Sequence, residues 1–193
     1  MSDLKTKSMV SAALFVCLTA VGAWIRIPFP LVPMTLQVLF VLLSGMCLGP
    51  KLGAMSQAAY VLMGLMGLPV FAGASGPHIL FSPTFGYLVG FILASYTAGK
   101  FSNKRASFIG FLGSSLAGLL AIYACGTVGL YLNLNFIVGK SVSLVGAVKI
   151  GVLPFLLVDG LKAAAATIVA YRVVPQLSRI RVGTGVKKES LKP

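Results

Sequence analysis

Acidic side chains are nearly missing from this 193-residue sequence: Asp plus Glu number three, against sixteen Lys plus Arg. There is one histidine and one tryptophan, and the three cysteines, Cys17, Cys47 and Cys125, lie far apart inside apolar runs. So few acids and imidazoles leave no metal cluster, no paired carboxylates and no Ser/His/Asp set, which argues against an enzyme. The odd, scattered cysteines carry no metal spacing and read as reduced packing residues. Charged residues are only 10% of the chain and apolar residues 58%. A soluble domain holds about 25% charged residues, and disorder needs still more charge and less apolar content. The chain is therefore expected to be an integral membrane protein. The net charge of +13 belongs to that reading. No basic groove for nucleic acid fits so apolar a chain, whereas cytoplasmic loops of membrane proteins collect Lys and Arg.

What is present is a series of apolar runs between breakers. They predict six spans, at about 9–25, 34–48, 52–68, 84–99, 106–131 and 144–171, followed by a basic tail at 172–193. Several are shorter than the roughly 20 residues that a perpendicular helix needs, which is plausible only where protein covers their ends. Strand periodicity is absent, so a barrel is not expected. Placing both termini in the cytoplasm puts twelve basic residues inside, among them Lys5, Lys51, Lys100, Lys104, Arg105 and Arg172. Only Arg26, Lys140 and Lys149 then lie outside, which satisfies the positive-inside rule. The N-terminus also resembles a signal peptide, with Val21-Gly22-Ala23 as a cleavage site. Cleavage would leave five spans, and the six-span reading is preferred.

Asp159 is the one carboxylate in an apolar run, and Lys162 the one cation deep inside a span. At i,i+3 they share a helix face. Each charge costs about 2.5–3.5 kcal/mol to insert, and such charges usually mark a pathway or ligand site; the alternative is a pair that serves folding alone. Pro154 deprives the carbonyl of Ile150 of its helical donor, which favours an opening at the outer end of this helix. The 69–83 loop carries Phe71, Ile79, Leu80 and Phe81 among glycines and prolines. These suit a loop folded over a cavity, with Gly73 and Gly76 setting turns; an ordinary packed loop is the plainer reading. His78 is read as a solvated loop histidine. Gly139-Lys140-Ser141 looks like the end of a phosphate-binding loop but has Leu134 in place of the first glycine. On the first span, Ala12, Ala20 and Ala23 form a row of small side chains suited either to a partner helix or to internal packing.

Five motifs together resemble the BioY family, the biotin-specific substrate-binding (S) components of energy-coupling-factor vitamin transporters. They are Arg26-Ile-Pro-Phe-Pro-Leu-Val-Pro-Met-Thr-Leu-Gln37, Leu48-Gly-Pro-Lys-Leu-Gly53, Gly67-Leu-Pro-Val-Phe-Ala-Gly73, Ser82-Pro-Thr-Phe-Gly-Tyr-Leu-Val-Gly-Phe91, and Leu153-Pro-Phe through Asp159-x-x-Lys162-Ala. The resemblance spans nearly the whole chain. It implies an all-α bundle of six transmembrane helices, a plasma-membrane location and biotin capture near the outer face. Its implied partners are a transmembrane coupling protein and two cytoplasmic ATPases, with biotin as ligand and no cofactor. The site residues expected on this basis are Asp159, Lys162, Phe71, Gly73, Ser75, Phe81, Tyr87 and Gln37, with Ala12, Ala20 and Ala23 docking the coupling protein. The first span has Val16 inside the alanine row, and Ala74 and Phe85 stand where relatives often have glycine. Biotin suits the pair chemically: a carboxylate accepts from the ureido N–H groups and an ammonium donates to the ureido carbonyl. Competing readings are an S component for another vitamin, a small structural membrane protein, and, more distantly, an intramembrane enzyme.

Overall fold

The structure is a computed structural model and describes residues 2–102 and 107–183. Lys104, Arg105 and the basic tail beyond 183 lie outside the described residues. Seven α-helices are present among them: α1 (Ser2–Trp24), α2 (Gln37–Leu48), α3 (Pro50–Leu65), α4 (Phe85–Ser102), α5 (Phe108–Leu132), α6 (Leu144–Gly151) and α7 (Leu156–Gly183). Two short strands, β1 (Arg26–Ile27) and β2 (Met34–Thr35), pair antiparallel between α1 and α2. The three-proline segment therefore folds as a small hairpin, where only a connection was expected.

Local chemistry explains the boundaries. Gly49 has φ +86°, a left-handed conformation that suits glycine, and Pro50 then starts α3 without needing an N–H partner. Together they turn the chain between α2 and α3 in two residues. Ser107 and Ser143 cap α5 and α6 by accepting from the backbone N–H of Gly110 and Gly146, each at 3.1 Å. The expected sixth span is not one helix. It breaks into α6 and α7, bent by 59°, with Pro154 in the interruption. By length and apolarity, Thr6–Trp24 and Phe108–Ile137 can each cross a bilayer, and the bent pair can be a third span. The 12-residue α2 and 16-residue α3 are shorter than a perpendicular span needs.

The core lies where α2, α4, α5 and α7 meet, with Leu42, Phe111, Ile122 and Leu130 fully enclosed. Small residues let these helices approach: a Cβ on Gly129 would strike the backbone of Gly86, so α4 and α5 touch there main chain to main chain. Polar side chains join helices inside the apolar layer. Gln57 on α3 donates to Thr19 on α1 and Ser44 on α2, at 3.3 and 3.1 Å, and Ser44 pairs with Ser95 on α4 at 2.8 Å. Ser115 on α5 pairs with Thr167 on α7 at 2.9 Å. Each hydroxyl or amide is thereby satisfied where water is absent.

The alanine row on α1 is only partly enclosed. Ala23 is fully buried and Val16 nearly so, with Thr19 beside them, while Ala12 and Ala20 are half-buried. Ala23 is therefore not available to a partner. The outward face of α1 carries Val10, Ala13, Leu14, Cys17, Val21 and Trp24.

Candidate functional site

The helix break builds one wall of a cavity. With Pro154 unable to donate, the amide of Phe155 turns to the carbonyl of Val152 at 3.0 Å. The Gly151 carbonyl then takes the hydroxyl of Tyr87 at 2.8 Å. A Cβ on Gly151 would collide with that hydroxyl, so the glycine admits the bond. Phe155, buried, packs edge-on against Phe29 of the hairpin segment, with ring centres 5.7 Å apart. Asp159 follows in the first turn of α7, where the N-terminal end of the helix dipole favours a carboxylate.

The cavity measures about 390 Å³ and is mostly apolar, lined in part by the hairpin segment and the 69–83 loop. Asp159 and Gln37 are polar groups in its wall; Phe71, Tyr87, Phe91 and Phe155 supply aromatic surface. Such a volume and mixture is typical of a small-molecule site. Asp159 is 4% exposed and both its oxygens are engaged. Lys162 Nζ donates to Oδ1 at 2.7 Å and Tyr123 Oη donates to Oδ2 at 3.0 Å. The carboxylate keeps further lone pairs for a donor in the cavity. Lys162 is itself buried but is not part of the cavity lining. Its ammonium reaches the site through Asp159.

A second polar chain fixes Gln37 in the wall. Thr35 Oγ1 donates to Gln37 Oε1 at 2.8 Å, Gln37 Nε2 to Tyr60 Oη at 2.6 Å, and Tyr60 Oη to the carbonyl of Val70 at 2.9 Å. Gln37 thus retains one amide N–H for the cavity. Tyr60 is fully buried and meets Phe71 edge-on at 5.5 Å, which seats the start of the 69–83 loop. Behind Phe71, Gly64 leaves room for the ring: a Cβ there would overlap it.

The structure brings together Asp159, Gln37, Phe71, Gly73 and Tyr87 around the cavity, and His78 also reaches its lining. Two expected wall residues lie elsewhere. Phe81 is 67% exposed and outside the lining, because the 3₁₀ turn Pro77–Phe81 directs Ile79 inward instead. Ser75 is also outside the lining, and its hydroxyl is buried without a partner. Tyr123, Thr35, Tyr60 and Phe155 were not singled out by sequence reasoning. The one available signal for Tyr123 was its phenol inside an apolar run, since a buried tyrosine hydroxyl generally finds a partner.

The family model described as the BioY family matches residues 1–179. The chain belongs to the BioY family. Among relatives, "Biotin transporter BioY" of Thermotoga maritima is 44% identical over 168 residues, covering 86% of this chain and 95% of the relative. "Probable biotin transporter BioY" of Pyrococcus horikoshii is 44% identical over 172 residues, covering 88% and 98%. A crystal structure of the S-component for biotin from an ECF-type ABC transporter superposes with a TM-score of 0.79 at 25% identity. It covers 91% of this chain and 95% of that one. The BioY match embraces the hairpin, the 69–83 loop and the broken α6–α7 pair, so every wall of the cavity lies inside it.

Proposed function

We propose that this chain is the biotin-binding S component of an energy-coupling-factor uptake transporter. It captures biotin at the 69–83 end and passes it to the cytoplasm with an ATP-driven coupling module. The observation that carries the reading is the aromatic-walled cavity whose wall presents the Asp159 carboxylate, held by Lys162 and Tyr123. In this reading the ureido N–H groups donate to Asp159. The spare N–H of Gln37 meets a carbonyl or carboxylate oxygen of the vitamin, and Phe71, Tyr87 and Phe155 enclose its apolar body. Lys162 acts by neutralising and orienting Asp159. Gly73 shapes the wall; Ser75 and Phe81 take part only where the loop rearranges.

The same reading places six membrane crossings in the plasma membrane, with α6 and α7 as one bent span and both termini cytoplasmic, supported by the distribution of Lys and Arg. It assigns ATP hydrolysis to other polypeptides, a transmembrane coupling protein and two ATPases, with the outward face of α1 as the docking surface. The function is a carrier's, not an enzyme's. Calorimetric titration of the purified protein in detergent tests it: saturable one-site binding of biotin is expected, with no heat from thiamine or riboflavin. Binding of another vitamin in place of biotin would reassign the substrate, and no binding of either would end the reading.

A further inference from the structure

A second concavity lies on the far side of α4 from the first. It is an open groove of about 740 Å³ between the first half of α4 and the last half of α5, and its lining is almost wholly apolar. Val89, Cys125, Val128, Phe136 and Ile137 are among the residues that line it. The groove faces outward, with Val128 and Phe136 exposed, so in a bilayer its content is lipid, not water. One end differs from the rest. After Leu132 the helix widens into a π-turn, Asn133–Ile137, in which Val138 N reaches back to the Asn133 carbonyl at 3.0 Å. Such turns often accompany binding sites.

Asn133 sits in the groove lining at that end and is 3% exposed. Its Nδ2 donates to the Phe81 carbonyl at 2.6 Å, which fixes the amide, while its Oδ1 has no partner. An unpaired buried acceptor costs about 1–3 kcal/mol. The chain then turns at Gly139 (φ +74°), and Lys140 N donates to the Leu134 carbonyl at 2.8 Å. This ties the backbone of the exposed Lys140 to Leu134, the residue after Asn133, three positions beyond the last residue of the groove lining.

We propose that this groove is a binding site for an anionic phospholipid whose head carries a hydroxyl, of the phosphatidylglycerol class. One acyl chain lies along α4 and α5, the phosphate pairs with Lys140, and the head-group hydroxyl satisfies Asn133 Oδ1. Charge complementarity selects the anionic head: a juxtamembrane lysine is worth about 1 kcal/mol to an anionic lipid, and no acidic residue of the described chain lines the groove to oppose it. The site is separate from the biotin cavity, with Ser82 as the one residue common to both linings.

Native mass spectrometry of protein extracted from vesicles of equal phosphatidylglycerol and phosphatidylcholine tests the site. The wild type should retain one phosphatidylglycerol in preference to phosphatidylcholine. Lys140→Ala should weaken that retention about fivefold, the ratio expected for one lysine. Val128→Trp should abolish it by filling the groove, and biotin binding by both variants would show that the fold is intact. Equal retention of the two lipids, or unchanged retention in Lys140→Ala, overturns the proposal. A mass showing a second protein chain bound, with no lipid, also overturns it and makes the groove a protein interface.

Discussion

Tyr123 on α5 donates its hydroxyl to Oδ2 of Asp159 on α7 across 3.0 Å, while Lys162 holds the other oxygen at 2.7 Å. A carboxylate buried in an apolar layer is costly unless paired and hydrogen-bonded. Here both conditions hold within the chain itself. The two donors fix the plane of the carboxylate, so the remaining lone pairs point in set directions. Tyr123→Phe removes one anchor and leaves the ring in place. Biotin binding is expected to weaken about tenfold, in line with a hydrogen bond to a charged group. Asp159→Asn removes the charge that Lys162 neutralises and is expected to weaken binding by about 2–5 kcal/mol. Calorimetry on folded protein decides both, and wild-type affinity in either variant would confine the pair to folding.

Gly64 offers a test of the cavity wall from outside it. A Cβ on Gly64 would overlap the ring of Phe71, which is already held edge-on by Tyr60. The ring must move, and overpacking of this kind costs about 1–3 kcal/mol. Gly64→Ala is therefore expected to weaken biotin binding and lower the thermal midpoint, although the residue is not in the cavity lining. Paired with Phe71→Leu, which frees the space, Gly64→Ala should cost less than alone. Additive losses in the double variant would show that Gly64 acts some other way.

The physics of the bilayer decided what was legible in the sequence. Asp159 and Lys162 stood out because a charge in hydrocarbon is expensive, and the structure pairs them. Phe71 and Tyr87 were legible as aromatics in motifs, and Pro154 as a disturbance, since a missing donor has a fixed consequence. The full break into α6 and α7 was not legible, because it depends on Tyr87, 64 positions away, accepting the role of donor to Gly151. The face of α1 was illegible for a different reason. Lipid tails are as apolar as leucine, so both faces of a membrane helix are apolar and periodicity does not mark the inner one. Phe81 failed similarly: an aromatic in a loop beside a bilayer can point to lipid as readily as to a cavity.

Orientation is testable without a ligand. With Cys17, Cys47 and Cys125 replaced by serine or alanine, single cysteines at exposed His78 and exposed Lys100 sit at opposite ends of the bundle. An impermeant maleimide applied to intact cells should label His78→Cys and spare Lys100→Cys. The reverse pattern would invert the topology and place the cavity mouth toward the cytoplasm.

The burial of α1 changes where a partner helix is expected to dock. In the row Ala12, Ala20 and Ala23, Ala23 is wholly enclosed and Ala12 and Ala20 are half-buried. A bulky residue at Ala12 would therefore push against the neighbouring helices rather than against a partner. On the outward side, Ala13 and Cys17 are small, exposed and one turn apart, flanked by Val10, Leu14 and Val21. In lipid, helix association depends on close van der Waals approach over such small side chains. Ala13→Trp is accordingly expected to leave biotin titration unchanged, since α1 contributes no residue to the cavity lining, while lowering recovery of the complex with coexpressed coupling protein and ATPases. Ala12→Trp should instead lower the thermal midpoint and the yield of folded protein. Intact complex recovery with Ala13→Trp, together with loss of complex but a normal melting profile with Ala12→Trp, would return docking to the alanine row.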